Sequence, residues 1–330
     1  MRCRFLTVLA VGACVIGAEA AVVVDTVTVG NPGNLPDTRY SRTYGAVDYV
    51  YQMAKFEITA GQYTEFLNAI AATDTYGLYD PGWWASDQGC KIERLGEEGS
   101  YTYQVASDWA ERPVSAVSWG DVVRFANWMH NGQPTGAQDL TTTEDGSYFV
   151  NGAIDNAALQ AVERQPDATW VLPTEDEWHK SAFHMNDGQT GNYYVYATSS
   201  DDAPANTIVD PDPGNSANYH TDVYTLGAPY WRTVVGEFEN SASPYGTFDQ
   251  GGNVSEWTET KYHAGFRIFR GGAYISVEAL LRASYWDSHS PIQYALSNGF
   301  RLALVPEPAP FSLLAIGGLL AVGWRRHRLS

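Results

Sequence analysis

The chain has 330 residues, 44% of them hydrophobic, and a formal net charge of −18 at pH 7. This length supports a substantial core in one large or two ordinary domains. The acidity argues against a nucleic-acid partner, because such proteins need a basic surface to displace counterions. Aromatic residues and 31 Gly favour turn-rich structure, with large side chains packed between irregular segments.

Residues 1–20 are predicted to be a secretory signal peptide. Two arginines give a positive start, an apolar stretch follows over residues 5–17, and Ala-Glu-Ala then supplies the small residues that a signal peptidase needs. The mature chain is expected to begin near Ala21. The alternative is a lipoprotein box over residues 11–14 with Cys14 lipidated, in which Gly12 would be an unusual residue.

Two strands and three helices are predicted next. Residues 22–29 and 49–58 are rich in β-branched and apolar types, a pattern typical of strands. Capping boxes, in which Thr or Ser is followed three residues later by Gln, Asp or Glu, mark helix starts at Thr59, Ser118 and Thr174. The apolar faces of these helices are Tyr63, Phe66, Leu67 and Ile70; Val122, Phe125, Ala126 and Met129; and Trp178, Ala182 and Met185.

Two long segments, residues 74–113 and 190–231, are rich in Gly, Pro, Asn and Asp and follow neither the helical nor the strand period. Irregular segments of this length are usually functional or tied down, for example by a metal ion. No internal repeat or change in composition argues for a second folded domain. We therefore expect one domain over residues 21–304.

Residues 305–330 resemble a PEP-CTERM sorting tail, a bacterial signal with a Pro-Glu-Pro-like motif, a membrane segment and a basic end. Val-Pro-Glu-Pro is followed by an apolar run over residues 311–324 and a basic cluster. The run is shorter than the roughly 20 residues of a stable span, which suggests a transient anchor. The basic cluster would stay cytoplasmic and the body outside. A plain tail anchor is the alternative.

Four ordered blocks carry a wider resemblance. They are Glu57-Ile58-Thr59 with Tyr63 and Phe66; Pro113-Val114-Ser115 before Val117-Ser118-Trp119 and Ala126-Asn127-Trp128; Leu172-Pro173-Thr174-Glu175 with Glu177-Trp178; and Gly252-Asn253-Val254-Ser255-Glu256-Trp257 with Arg270-Gly271-Gly272-Ala273 and Gly299-Phe300-Arg301-Leu302. Together they resemble the formylglycine-generating enzyme, or sulfatase-modifying factor, domain. The resemblance implies a single α+β domain with a variant of the C-type lectin fold, low in regular secondary structure and stabilised by calcium.

The catalytic chemistry of that family is not expected here. In its catalytic members, two cysteines after the Gly-Gly block bind copper and oxidise a substrate cysteine to formylglycine; soft thiolates select Cu(I). Ser276 stands at the position of the first cysteine, and a shortened segment up to Arg282 and Ser284 leaves no place for the second. Copper is therefore not expected, and no catalytic residue is assigned.

The remaining cysteines and histidines offer no substitute. Two of the three cysteines fall within residues 1–20, so Cys90 is alone in the mature chain and can form neither an internal disulfide nor a multi-cysteine metal site. We expect it to be a free, partly buried thiol. His179 and His184 lie five residues apart on the third helix and diverge in direction, unlike a helical metal clamp.

A calcium site is implied by the resemblance. Matching by position, the ligands would be Asp249, Gly252, Val254 and Glu256, which offer the oxygen donors that Ca²⁺ prefers. The alternative is a tight Gly-rich turn with Glu256 in a salt bridge. A weaker second site is implied near Asn218 and Tyr219, with Asp222 as a candidate acidic partner. Arg270, Arg282 and Arg301 are expected to be structural.

The sequence thus favours an exported, surface-associated protein whose domain is a non-catalytic binding or structural module. The favoured partner is an extracellular polysaccharide or protein, because exposed aromatics could stack on sugar rings and calcium could order the loops. The alternatives are a formylglycine-generating-type oxidoreductase acting through an unrecognised site, and a purely structural surface protein. An open polar cleft beside Gly271 and Gly272 would suggest function there, and a filled one a relic.

Overall fold

The computed structural model describes residues 21–306. The predicted signal peptide and almost all of the predicted sorting tail lie outside these residues. Within them, no helix combines the length and the apolar character needed to cross a membrane. The strands are β1 (Thr26–Val29), β2 (Tyr51–Ala54), β3 (Ile92–Leu95), β4 (Thr102–Val105), β5 (Trp170–Val171), β6 (Ser255–Tyr262), β7 (Phe266–Arg270), β8 (Asp287–His289), β9 (Asn298–Gly299) and β10 (Ala303–Leu304).

The strands form two four-stranded sheets and a hairpin. The first sheet has the order β1-β2-β10-β5 with antiparallel neighbours, so the end of the domain pairs with its beginning. β3 and β4 form the hairpin. The second sheet has the order β8-β7-β6-β9, and its β6–β9 pair is parallel. Both predicted N-terminal strands are present but shorter than expected: β1 occupies the second half of residues 22–29, and β2 lies inside residues 49–58.

Three of the five α-helices within residues 21–306 begin at the predicted capping boxes. The helices are α1 (Ala60–Ile70), α2 (Gly82–Ala85), α3 (Trp119–His130), α4 (Asn156–Ala161) and α5 (Glu175–Phe183), with a 3-10 helix at Glu278–Leu281. The boxes at Thr59, Ser118 and Thr174 are all formed, with both reciprocal hydrogen bonds present. The predicted apolar faces are buried, except that Met185 lies beyond the end of α5 and is half-buried.

Aromatic packing joins the helices to the C-terminal motif. The ring of Tyr63 in α1 stacks on that of Phe125 in α3, with centroids 5.9 Å apart. Phe125 in turn meets Phe300 edge-on at 5.3 Å. Each such pair contributes about 0.5–1.5 kcal/mol beyond its buried area. The Gly-Phe-Arg-Leu block is therefore part of the core.

The two long segments differ in structure. Residues 190–231 contain no helix or strand, as expected. Residues 74–113 contain α2 and the β3–β4 hairpin, which the sequence interpretation missed. The hairpin buries Ile92 and Tyr103 against the main core. In the sequence, the period-two pattern of these short strands is hidden by the surrounding Gly and Asp residues.

Candidate functional site

The turn that leads into β6 is closed by backbone contacts. Gly252 has φ 102°, and a Cβ at this position would lie 2.3 Å from the carbonyl oxygen of Asn218, so only glycine fits. Its N–H donates to the carbonyl of Gly271 at 3.0 Å. The Asn253 amide donates to the Glu57 carboxylate at 2.8 Å. The Gly-Asn block and the Gly-Gly block are thus held together.

The space at the glycine pair is filled. A Cβ on Gly271 would lie 2.7 Å from the carbonyl oxygen of Gln250, and one on Gly272 would lie 2.8 Å from that of Leu280. Tyr274, which follows, is 1% exposed. Backbone and core side chains therefore occupy the position where an open polar cleft would have suggested function.

Ser276 closes a turn. Its Oγ accepts a hydrogen bond from the N–H of Ala273 at 2.9 Å, and its own N–H donates to the Ala273 carbonyl at 2.8 Å. Its carbonyl accepts from the N–H of His220 at 2.8 Å. A hydroxyl with backbone neighbours supplies no soft ligand for Cu(I), so the residues at this position do not fit copper.

The thiol of Cys90 is fully buried and has no disulfide partner among residues 21–306. Burial raises its pKa to about 11. Because the thiolate is the nucleophile and the metal ligand, a cysteine in this state is inert at neutral pH. The expectation of a free thiol holds, with burial complete.

Glu256 forms a buried ion pair. Arg301 donates from Nε to Oε2 and from Nη2 to Oε1, both at 2.7 Å, and both side chains are fully buried. The indole N–H of Trp178 also donates to Oε2, at 2.6 Å. The salt bridge considered as an alternative to a calcium ligand is therefore present, and a cation would have to share this carboxylate with Arg301.

Asp249 and Glu57 bring further negative charge to the same place. Asp249 is partly buried and accepts from the N–H of Gly236 at 2.6 Å; burial raises its pKa to about 6. Burial, and then the charges of Asp249 and Glu256, raise the pKa of Glu57 well above its usual range. Glu256 contacts the guanidinium of Arg301, and Glu57 and Asp249 interact with it electrostatically.

The oxygen atoms of Asp249 and of the neighbouring backbone carbonyls are ligands of the type that a hard cation such as calcium prefers. No group of three or more His, Cys, Asp or Glu side chains between residues 21 and 306 is arranged to hold a metal ion. Backbone carbonyls, which the predicted set includes at Gly252 and Val254, would have to complete the coordination. The sequence does not by its local pattern identify Glu57 as a neighbour of Asp249 and Glu256. A glutamate at the end of an apolar strand is nevertheless a signal that can indicate such a site.

The weaker predicted site is only partly assembled. The Asn218 amide donates to the Trp231 carbonyl and to Asn253 Oδ1, both at 3.1 Å. Its own Oδ1 is buried and has no hydrogen-bond partner within the described part of the chain. The Tyr219 N–H donates to Thr225 Oγ1, and Asp222 is exposed. The structure thus joins Asn218 to the Gly-Asn block.

Two of the three arginines named from the sequence are buried structural residues. Arg270 donates to the Tyr285 carbonyl at 2.7 Å, and Arg301 donates to the Phe248 carbonyl at 2.7 Å. Arg282 differs because its side chain is 48% exposed and pairs with Glu278, at the start of the 3-10 helix that Arg282 directly follows.

Comparisons with known proteins agree with this geometry. A family profile described as the sulfatase-modifying factor enzyme 1-like domain matches residues 25–305. The crystal structure of CarF covers 86% of this chain and 99% of its own at 21% identity, with a TM-score of 0.50. Treponema denticola variable protein 1 covers 85% of this chain and 95% of its own at 18% identity, with a TM-score of 0.52. No curated protein sequence matches.

A third structure, PvdO from Pseudomonas aeruginosa, covers 86% of this chain and 92% of its own at 18% identity, with a TM-score of 0.47. The family match and the first two structures confirm the predicted α+β, C-type-lectin-like fold.

Proposed function

The chain belongs to the sulfatase-modifying factor family, and from this membership and the residues at its inherited site we propose that it is a non-catalytic binding module exported to the cell surface. Its partner is an extracellular polysaccharide or protein. Calcium near Asp249 is the proposed structural cofactor, and the C-terminal tail provides the proposed contact with the membrane.

Ser276 is the observation that carries the proposal. The family reaction needs thiolates to hold copper, whereas the Ser276 hydroxyl is engaged in a turn with Ala273. Cys90 is the single cysteine among residues 21–306, and it is buried and protonated. Neither residue can supply the ligand or the nucleophile on which the inherited oxidation depends.

The surface around Ser276 supports binding. Its neighbours Ile275 and Val277 are 47% and 52% exposed. The rings of His220 and Tyr224 lie 4.5 Å apart, and those of Tyr224 and Trp231 lie 4.8 Å apart. Exposed apolar and aromatic side chains grouped in this way are typical of interaction surfaces.

The test is an oxidation assay. The full chain is incubated with a sulfatase-type Cys-containing peptide, copper and oxygen, and the peptide is analysed for aldehyde by mass spectrometry. We expect no aldehyde, because the soft ligands are missing. A family member that has both cysteines serves as the positive control. Copper-dependent aldehyde formation by this chain would establish the oxidoreductase alternative instead.

A further inference from the structure

We propose that a groove beside α4 binds a neutral oligosaccharide, an inference that rests on the proposed binding function and gives it a location. The groove, called here the α4 groove, joins two adjoining cavities of about 550 and 380 Å³, which share Val162 and Glu163. Both volumes lie in the range typical of ligand sites. None of the lining residues belongs to the inherited site around Ser276.

One wall of the groove is a loop that is held rigidly from below. Arg124 and Glu144, each 2% exposed, form a two-pronged ion pair at 2.6 and 3.0 Å. Glu144 also accepts from the N–H of Gly152 at 2.8 Å, and Arg124 donates to the Ala153 carbonyl at 2.9 Å. A buried ion pair adds little net stability compared with apolar packing. Here it fixes the conformation of the loop, which lowers the cost of binding.

This rigid loop presents large apolar side chains to solvent. Phe149 is 48% exposed and Ile154 is 65% exposed, whereas Val150 between them is 3% exposed. Both side chains line the same cavity, and exposed apolar groups that lie together in this way are typical of a binding surface. An exposed aromatic ring provides a flat apolar face against which the C–H face of a sugar can pack.

Polar groups of both signs complete the groove. At the rim, Lys261 Nζ donates to Glu163 Oε1 at 2.9 Å. On the floor, Glu259 Oε2 accepts from the Tyr148 hydroxyl and from Arg164 Nε, both at 2.8 Å. Hydrogen-bond donors and acceptors therefore lie side by side in the groove. The hydroxyl groups of a sugar require this arrangement, because each hydroxyl both donates and accepts.

The charges select against charged ligands. An acidic polymer would meet Glu163, Glu259 and Asp155, and a basic one would meet Arg164 and Lys261. An extended peptide gains its affinity by adding to a sheet edge, whereas α4 and loops form much of these walls. A neutral, hydroxyl-rich chain packs against the aromatic ring and forms hydrogen bonds with the paired charged groups.

The experiment measures binding of the full chain to cellohexaose, xylohexaose, mannohexaose and chitohexaose by calorimetry, with hexagalacturonate as the acidic comparison. We expect at least one neutral oligosaccharide to bind, and Phe149→Ala to weaken that binding about tenfold. Phe149→Trp should retain it, because the ring is kept. Trp84→Ala, which removes a ring that is 43% exposed and lines neither cavity, is the matched control and should have no effect.

Melting temperatures of the variants verify that each one is folded. If Phe149→Ala binds as the unmodified chain does, or if Trp84→Ala alone loses binding, the α4 groove is not the site, while the proposed binding function stands. If no neutral oligosaccharide binds, or only the acidic one does, the groove proposal is overturned. The proposed loss of catalysis is judged separately, by the aldehyde assay.

Discussion

His179 stays uncharged at pH values far below the ordinary pKa of histidine, because the fold removes its ring from water. Its ring is fully buried, Nε2 lies 3.2 Å from Asp37 Oδ2, and Nδ1 accepts from Arg270. Burial is the main cause that lowers its pKa to about 3; Asp37 opposes this shift and the charge of Arg270 adds to it. Tyr44, Phe183 and Tyr193 pack against the ring.

A pH dependence follows from this shift. The unfolded histidine takes up a proton below its usual pKa of 6.5, whereas the folded one does so only near pH 3. The stability contributed by His179 is therefore fully present above pH 6.5 and is lost as the pH falls towards about 3. In side-chain NMR spectra we expect one histidine, identified by its loss in His179→Asn, to remain neutral from pH 7 to pH 4. A protonation midpoint above pH 5 would contradict this assignment.

The buried Glu256–Arg301 pair works at the scale of elements, since it ties β6 to the segment between β9 and β10. Trp178 adds α5 to the same carboxylate. On folding, each of the two charged groups exchanges its contacts with water for contacts with the other charged group. Arg301 also donates to backbone carbonyl oxygens. Breaking such a pair leaves an uncompensated buried charge.

Glu256→Gln should therefore lower the free energy of unfolding by about 3–5 kcal/mol, measured by urea denaturation. The matched control is Glu278→Gln, which breaks a more exposed pair with Arg282 and should cost about 0.5 kcal/mol or less. Equal effects of the two substitutions would show that the buried pair does not hold these elements together.

At the same scale, local pattern was a good guide to helices and a poor guide to the hairpin. A capping box is built from residues three positions apart, so Ser118 and Asp121 could be interpreted without knowledge of the fold. The pairing of Ile92 with Val105 needed a turn that composition alone did not reveal. The composition of residues 74–113 therefore predicts a wholly irregular segment, although the structure contains α2 and the hairpin there.

At the scale of the whole molecule, long segments without regular structure must be held by side chains or by ions. Residues 190–231 contain no helix or strand, and Asn218 within them bonds to Asn253 beside the proposed calcium ligands. A cation at Asp249 would offset the excess of carboxylates around Arg301 and thereby stabilise the connection between this segment and the core.

Calcium is accordingly expected to raise the melting temperature, and a chelator to lower it. Free calcium at a hundred times its Kd would add about 2.7 kcal/mol. The calcium-induced shift should disappear in Asp249→Ala and persist in Asp222→Ala, because Asp222 is exposed. A melting temperature that the chelator leaves unchanged would rule out a stabilising site.

The α4 groove was not foreseen because its parts are far apart along the chain. Tyr148 and Glu259 are 111 residues apart, and Lys261 and Glu163 are 98 apart. Each looks like an ordinary solvent-exposed or core residue in its own neighbourhood. Only the folded chain brings the ring of Phe149 alongside these charges.

Four properties follow from the order of residues alone: the family, the fold class, the three capped helices and the lack of cysteine ligands at Ser276. These are matters of residue identity and of hydrogen bonds between near neighbours, which a linear chain displays directly. The tertiary structure decided that carbonyl groups fill the space at Gly271 and that Glu256 faces Arg301. Such contacts depend on which distant segments share one small volume, and packing of the whole chain determines that.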